Sequence, residues 1–153
     1  MSNVDNSFDF KEGDIRTWNY YINNETIDSF SMFSGDTAPL HSSEQFAKAN
    51  GFEGRIVHGA ALQAFASHFV GMILPGPGSL LQRWEMNFRI PCYAPAEILI
   101  QGKIRQISEA TKTVVVEIGD SIADNHASAE FLMGNPNRAA VPNARKHILS
   151  VKV

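Results

Sequence analysis

The sequence predicts an α+β fold in which one curved antiparallel β-sheet wraps around one long apolar α-helix. Two observations predict it. Residues 58–74, HGAALQAFASHFVGMIL, form the most apolar run in the chain and contain no Asp, Glu, Lys or Arg. From Trp84 onward, apolar residues instead alternate with polar ones, which is the period of a half-buried strand. With 153 residues, of which 44% are hydrophobic, the chain favours a single domain over residues 1–153.

Composition and charge narrow the class of function. The formal net charge is −3, so the chain lacks the strong positive charge of nucleic-acid-binding domains, and we expect no nucleic-acid partner. Cys92 is the sole cysteine, which excludes an intrachain disulfide and suits a reducing compartment. Residues 1–14 form a polar lead without the apolar segment of a secretory signal, and the 58–74 run is short for a membrane span. We therefore expect a cytoplasmic protein with no membrane partner.

The first third of the chain predicts a strand and a short helix. Residues 15–22 predict a strand because three large apolar side chains share one face: Trp18, Tyr20 and Ile22. Residues 26–34 predict a helix because apolar residues recur at helical spacing. Gly35 follows this helix in the position of a C-cap glycine, so the helix should deliver the chain directly to Asp36.

A stiff loop and a second short helix are expected next. Pro39 cannot continue a helix and biases Ala38 toward an extended conformation, so residues 35–41 read as a loop. Ser42 and Gln45 have the spacing of a capping box for a helix over residues 44–49. The loop should therefore be held between two helix ends.

After the long helix, the pattern predicts four consecutive strands with short connections, which would pair antiparallel: residues 84–90, 98–104, 113–118 and 126–133. Gly102 interrupts the second of these strands and marks either a bulge or a point of close helix approach. From about residue 134 the alternation fails, and we expect an extended, mildly basic C-terminal tail.

Asp36 and His41 form the most suggestive polar pair in the chain. A carboxylate and an imidazole lie five residues apart on a proline-stiffened loop. Such a pair can hold a water between an acceptor and a group that titrates near neutrality, as general acid–base chemistry requires. Spacing alone equally allows a turn aspartate and a surface histidine.

Three segments resemble the MaoC-type family of hotdog-fold enoyl-thioester hydratases: SGDTAPLHSSEQFAKANGFEGRIVHG at 34–59, the helix that follows it, and FRIPCYAPAEI at 88–98. The resemblance spans roughly residues 15–133. It implies the hotdog fold and a lyase that adds water reversibly to a 2-enoyl-CoA or 2-enoyl-ACP, giving the (R)-3-hydroxyacyl thioester. It also implies that Asp36 and His41 activate the catalytic water, and that the Gly59 N–H binds the thioester carbonyl.

The position of Gly59 supports the last assignment on physical grounds. Gly59 stands at the predicted start of the long helix, where unpaired N–H groups and the positive end of the helix dipole converge. Because glycine has no side chain, a substrate oxygen can approach closely. This is a suitable place for the enolate charge that develops during hydration.

Two positions depart from the family pattern and leave alternatives open. Ala38 stands where the family commonly has asparagine, and Ala64 stands where related hydratases carry a serine. Both changes are compatible with a non-catalytic protein that binds acyl thioesters. A hotdog thioesterase is a further alternative, although such enzymes often use a carboxylate on the central helix and residues 59–74 contain none.

The other polar residues have mainly structural interpretations. His58 is expected to serve at the helix start, His68 as a hydrogen-bonded core histidine, and Cys92 as a packing residue. No set of His, Cys and Asp shows metal-ligand spacing, so we expect no metal and no cofactor, with coenzyme A or phosphopantetheine arriving as part of the substrate.

The expected partners are an acyl-CoA or acyl carrier protein thioester and a second copy of the chain. A single sheet around one helix leaves a strand edge and a helix flank exposed, which a homodimer or higher homo-oligomer would protect. Four basic residues on outward strand positions predict a solvated face, with phosphate or carrier-protein contact as the alternative: Arg83, Arg89, Lys103 and Arg105.

Overall fold

The computed structural model describes residues 10–88, 90–123 and 146–152. Its helices are α1 (Asn24–Ser34), α2 (Pro39–Ser42), α3 (Glu44–Ala49) and α4 (Gly59–Met72). Its strands are β1 (Ile15–Ile22), β2 (Arg83–Asn87), β3 (Ala96–Ser108), β4 (Thr113–Ala123) and β5 (Lys146–Lys152). The strands pair antiparallel in the order β1-β3-β4-β5-β2. The predicted α+β architecture, one antiparallel sheet with one long helix, is confirmed.

The core lies between α4 and the sheet, where β3 and β4 contribute most of the buried strand residues, with Ile27 of α1 added at one side. Alternate residues of β3 are buried as the two-residue period requires: Ala96, Ile98, Ile100, Gly102 and Ile104. A Cβ atom on Gly102 would lie 2.9 Å from Cζ of Phe69 and closer still to Cε1. Gly102 is therefore a point of close approach between helix and sheet. The irregularity in the β3–β4 pairing comes later, between Ile104 and Gln106.

Helix α4 is buried on one side only. Its inner face consists of Ala61, Leu62, Ala66, Phe69 and Val70. Its outer face is exposed and includes Ala60, Ala64, Ser67, His68 and Met72. The single chain therefore leaves one flank of the helix exposed, as expected of one sheet around one helix. None of the helices in the described residues combines the length and apolar character needed to span a bilayer.

The order of strands in the sheet differs from the predicted succession. β3 and β4 form the expected antiparallel hairpin, but β2 lies at the far edge and pairs with β5 instead of β3. The predicted extended tail ends in β5, which lies inside the sheet between β4 and β2. An alternating pattern identifies a strand but does not encode its neighbour, which is why the order was missed. The strand predicted over residues 126–133 falls outside the described residues.

The segment before α4 follows the prediction with two local corrections. Gly35 ends α1 with a left-handed φ of 75°, as expected of a C-cap glycine. Pro39 begins α2 instead of lying in a continuous loop, because proline fits the first helical position, where its N–H is not needed. The cap of α3 is Ser43 and not Ser42, since the Ser43 hydroxyl accepts a hydrogen bond from the Phe46 N–H.

Candidate active site

Asp36 lies in the short loop between α1 and α2, where local hydrogen bonds hold the backbone. Its N–H donates to the Ser34 hydroxyl at 3.1 Å, and one carboxylate oxygen accepts from the Ala38 N–H at 3.1 Å. The residue is exposed. The turn therefore orients the carboxylate without removing it from solvent.

His41 follows on α2, half-buried, with its ring fixed by a backbone carbonyl. Its Nδ1 lies 2.7 Å from the carbonyl oxygen of Ile56. Because a carbonyl can only accept, Nδ1 carries the proton in this hydrogen bond. The neutral ring then presents a lone pair at Nε2, which is the form that a general base requires.

The strand-like segment before α4 holds α2 in place. The Ile56 N–H donates to the Leu40 carbonyl at 3.0 Å, and the Arg55 Nε donates to the His41 carbonyl at 2.6 Å. Arg55 also forms an ion pair with Asp28 of α1. Sequence reasoning missed Arg55 and Asp28, since residues 27 apart give no local pattern.

His58 packs against His41 and closes the group. The two rings stack with centroids 3.8 Å apart and planes inclined by 25°. His58 is 2% exposed, and its Nε2 lies 2.9 Å from the Asp36 carbonyl oxygen and 3.4 Å from the Ser31 hydroxyl. Its side chain makes no capping hydrogen bond to α4, so the expected role at the helix start is not what the contacts indicate.

Three potential metal ligands meet at this point: the Asp36 carboxylate and the rings of His41 and His58 offer atoms within 4.8 Å of one another. The sequence spacing did not reveal this cluster. A histidine binds a metal in the plane of its ring, at about 2.0–2.1 Å for zinc. Nearly parallel rings 3.8 Å apart have no common point at that distance, so the stack does not form a two-histidine chelate.

Gly59 is the first residue of α4, as predicted, and borders an open cavity of about 390 Å³. The first N–H groups of a helix have no partner within the helix. Since Gly59 and His41 both line the cavity, the unpaired N–H of Gly59 lies beside it. Apolar side chains form most of the remaining lining: Phe52, Ile56, Val57, Leu62, Phe88, Ile90, Pro91 and Cys92. A cavity of this size and lining suits an acyl group.

The aromatic ring of Phe88 covers Gly59. A Cβ atom at Gly59 would lie 2.9 Å from Cε2 of Phe88. A side chain at this position would require the Phe88 ring, which is 45% exposed, to shift.

A sequence model described as "MaoC like domain" matches residues 3–126. The chain belongs to the MaoC-like domain family. A relative from Aeromonas caviae, named (R)-specific enoyl-CoA hydratase, is 31% identical over 83 residues, which make up 54% of this chain and 62% of the relative. The match thus spans about three fifths of that relative's length. A mitochondrial 3-hydroxyacyl-acyl-carrier-protein dehydratase from Arabidopsis thaliana is 27% identical over 133 residues, covering 87% of this chain and 78% of the relative.

The solved structure of an (R)-hydratase from A. caviae superposes with a TM-score of 0.71 at 20% identity. The alignment covers 95% of this chain and 98% of that one. This MaoC-like chain accordingly has the hotdog fold, as the resemblance implied.

Two other sequence assignments have a structural outcome in this MaoC-like domain. Cys92 is buried in the core, as expected of a packing residue. His68 is hydrogen-bonded but exposed, so its assignment to the core is wrong. Its Nδ1 lies 2.7 Å from the Tyr20 hydroxyl. Partial burial raises the pKa of Tyr20 to about 12.

The basic face is solvated where it is described. Arg83 and Arg105 are exposed, Lys103 is half-buried, and Arg105 pairs with Glu117 of β4. Arg89 falls outside the described residues.

Proposed function

We propose that this protein is an enoyl-thioester hydratase, which in reverse is a 3-hydroxyacyl-thioester dehydratase. One observation carries the proposal: His41, with the Asp36 carboxylate within 4.8 Å of its ring nitrogen, lines the same apolar cavity as the helix start at Gly59. These are a base, a second proton acceptor and an oxyanion site. The names of the relatives from A. caviae and A. thaliana support the same reaction.

In the hydration direction, a water lies between the Asp36 carboxylate and His41 Nε2. His41 removes one proton while the oxygen forms a bond to C3 of the 2-enoyl thioester. The electrons of the double bond move toward the thioester carbonyl, whose negative oxygen is stabilised by the Gly59 N–H. The proton then returns from the Asp36–His41 pair to C2. The product is the 3-hydroxyacyl thioester, in the R configuration that the family resemblance implies.

The thioester carrier is coenzyme A or the phosphopantetheine of an acyl carrier protein, and the reaction needs no resident cofactor. Both kinds of carrier occur in the names of the relatives. The apolar lining of the cavity suits the acyl chain, which leaves the polar carrier toward solvent.

The working form in this proposal is a homodimer. Two exposed features call for cover: the outer face of α4, where Met72 is 59% exposed, and the sheet edges formed by β1 and β2. A second copy can protect the helix flank and one sheet edge by edge-to-edge pairing.

The decisive measurement is the loss of enoyl-thioester absorbance with crotonyl-CoA and longer 2-enoyl-CoA substrates. Asp36→Asn and His41→Ala should each lower kcat by about 10²–10⁴-fold, the usual contribution of a general acid or base. His68→Ala is the matched control, since it removes an exposed histidine that does not line the cavity.

Two results would contradict the proposal. Release of free thiol would identify a thioesterase. Tight acyl-thioester binding by wild type without turnover of any CoA or carrier-protein thioester would identify a binding protein, and would make Ala38 the leading reason for the lost activity.

A further inference from the structure

We propose that His58 is a positioning residue that fixes both members of the Asp36–His41 pair through one ring. This inference rests on the proposed hydratase function but makes a separate structural claim. His58 contacts Asp36 through a hydrogen bond and His41 through ring stacking. It thus contacts both the loop that carries the carboxylate and the helix that carries the base.

The hydrogen bond determines which nitrogen of His58 carries the proton. The Asp36 carbonyl can only accept, so Nε2 is the donor at 2.9 Å. Nδ1 of the same ring is buried and has no hydrogen-bond partner in the described residues. The ring thus directs its one N–H to the Asp36 backbone, where it holds the turn that aims the carboxylate.

The stacking contact restrains the second member of the pair. His41 is tied at Nδ1 to the Ile56 carbonyl, which still allows the ring to rock about that hydrogen bond. The face of His58, 3.8 Å away, limits this motion. His58 is itself backed by Phe30 of α1, with ring centroids 5.0 Å apart. The lone pair at His41 Nε2 is therefore held in direction by packing on one face of its ring.

A structural explanation confined to α4 does not account for these contacts. His58 occupies the N-cap position but gives no side-chain hydrogen bond to the helix. A buried polar nitrogen without a partner is also costly and uncommon in a site that serves packing alone. The cost is explained if the other nitrogen is needed at Asp36.

A matched pair of amides separates the hydrogen bond from the rest of the ring. In His58→Gln the amide nitrogen can occupy the place of Nε2 and donate to the Asp36 carbonyl. In His58→Asn the chain is one methylene shorter and the amide corresponds to Nδ1, so the donor cannot reach. His58→Leu removes every polar atom at similar bulk. Ser31→Ala is the control for the longer 3.4 Å contact of Nε2.

We expect His58→Asn and His58→Leu to lower kcat about 100-fold with KM changed less than about threefold, because a displacement near 1 Å has effects of that size. The kcat of His58→Gln should be only about tenfold below that of wild type. This remaining loss corresponds to the missing ring stack. Ser31→Ala should stay within about twofold of wild type. Equal loss of kcat in the Gln and Asn variants, or full kcat in the Leu variant, would overturn the proposal.

Amide hydrogen exchange of residues 36–41 tests the claim without turnover. The Ala38 N–H donates to the Asp36 carboxylate at 3.1 Å, so its exchange rate reports whether the turn stays closed. It should exchange faster in the Asn variant and near the wild-type rate in the Gln variant. If wild type proves inactive, this difference still supports the positioning role while the hydratase proposal fails. Unchanged exchange in the Asn variant would refute the positioning role whatever the activity.

Discussion

Two regions at α4 contact the rest of the molecule by different means. In the second half of the helix, Phe69 packs against Gly102 of β3, and this contact is apolar. In the segments that lead into the helix, two histidines contact backbone carbonyls instead: His41 of α2 contacts Ile56, and His58 contacts Asp36. The apolar contact determines where the helix lies on the sheet, whereas the hydrogen bonds determine which way the two rings point.

The difference is clearest between two histidines of the same segment. His58 is bonded to a carbonyl, which can only accept, so the fold itself decides where the ring proton lies. His68, in the second half of α4, is hydrogen-bonded to the Tyr20 hydroxyl, which can donate or accept. A backbone partner therefore fixes the chemical role of a side chain, and a hydroxyl partner does not.

Among the substitutions that test this comparison, Gly59→Ala at the helix start should have the largest effect. The new Cβ would fill the approach to the N–H and meet the Phe88 ring at 2.9 Å. We expect an activity loss of about 100-fold, comparable to the loss of one oxyanion-hole donor. Stability should change little, since the Phe88 ring is 45% exposed and can shift. Steady-state kinetics and thermal unfolding measure the two effects.

Gly71→Ala is the matched control for Gly59→Ala, because it lies in the same helix with nothing within 4 Å of the new Cβ. It should keep full activity. Adding Phe88→Leu to Gly59→Ala distinguishes two causes: recovery of activity would show that the ring clash, and not a blocked substrate oxygen, was responsible.

At the contact between β3 and the second half of α4, Gly102→Ala should reduce stability instead of activity. The new Cβ would overlap the ring of Phe69, which is fully buried and has no space to move. Overpacking of this kind costs about 1–3 kcal/mol in the free energy of unfolding. Urea unfolding measures it. The same substitution at Gly71 should instead stabilise by about 0.5–1 kcal/mol, because alanine is the better helix former. Equal effects at both positions would contradict the close approach.

Arg55→Met, in the segment that leads into α4, should give a smaller change in activity. It removes the donor to the His41 carbonyl, and we expect kcat/KM to fall about tenfold, which corresponds to about 1.4 kcal/mol. Asp28→Asn is the control, since it removes the ion pair but keeps the hydrogen bond from Arg55 to His41. Asp28 is largely exposed, so its loss should stay within about 1 kcal/mol of stability and leave kcat/KM near wild type. Equal losses of kcat/KM would assign the effect to the ion pair.

The smallest effect is expected from Tyr20→Phe, which removes the hydrogen bond to His68. The free energy of unfolding at pH 7 should fall by about 0.5–1.5 kcal/mol, with activity unchanged. Wild type should also lose stability between pH 10 and about 12. There the unfolded chain has released the Tyr20 proton, while the folded chain still holds it because its pKa is raised.

Tyr20→Phe should lack that part of the alkaline decline. Chemical unfolding at several pH values measures it, with Tyr21→Phe as the exposed neighbouring control. The same alkaline slope in wild type and Tyr20→Phe would show that Tyr20 is not its source.

The helices and the main strands could be predicted because their signals are local. The apolar run of α4, Gly35 after α1 and the alternation of β3 each lie within a few consecutive residues. The position of β2 in the sheet could not be predicted. Its neighbour β5 lies about 60 residues further along the chain, and the pattern of a strand is the same beside any partner.

The candidate site shows the same division between local and distant information. Asp36, His41 and Gly59 were found from a motif and its family resemblance; His41 and Gly59 line the cavity, and the Asp36 carboxylate lies within 4.8 Å of a ring nitrogen of His41. His58 was assigned to the helix start, although its contacts join Asp36 and His41. Arg55 and Asp28 were not singled out at all, since their pairing depends on how α1 packs.

By itself, the sequence determined the types of element, the burial of β3 and the residues that carry the proposed chemistry, because hydrophobic period, proline and glycine act over short distances. Only the tertiary structure decided the strand order and which ring nitrogens of His41 and His58 carry protons. Each of these depends on which distant backbone group lies opposite, and a carbonyl looks the same at every position of the sequence.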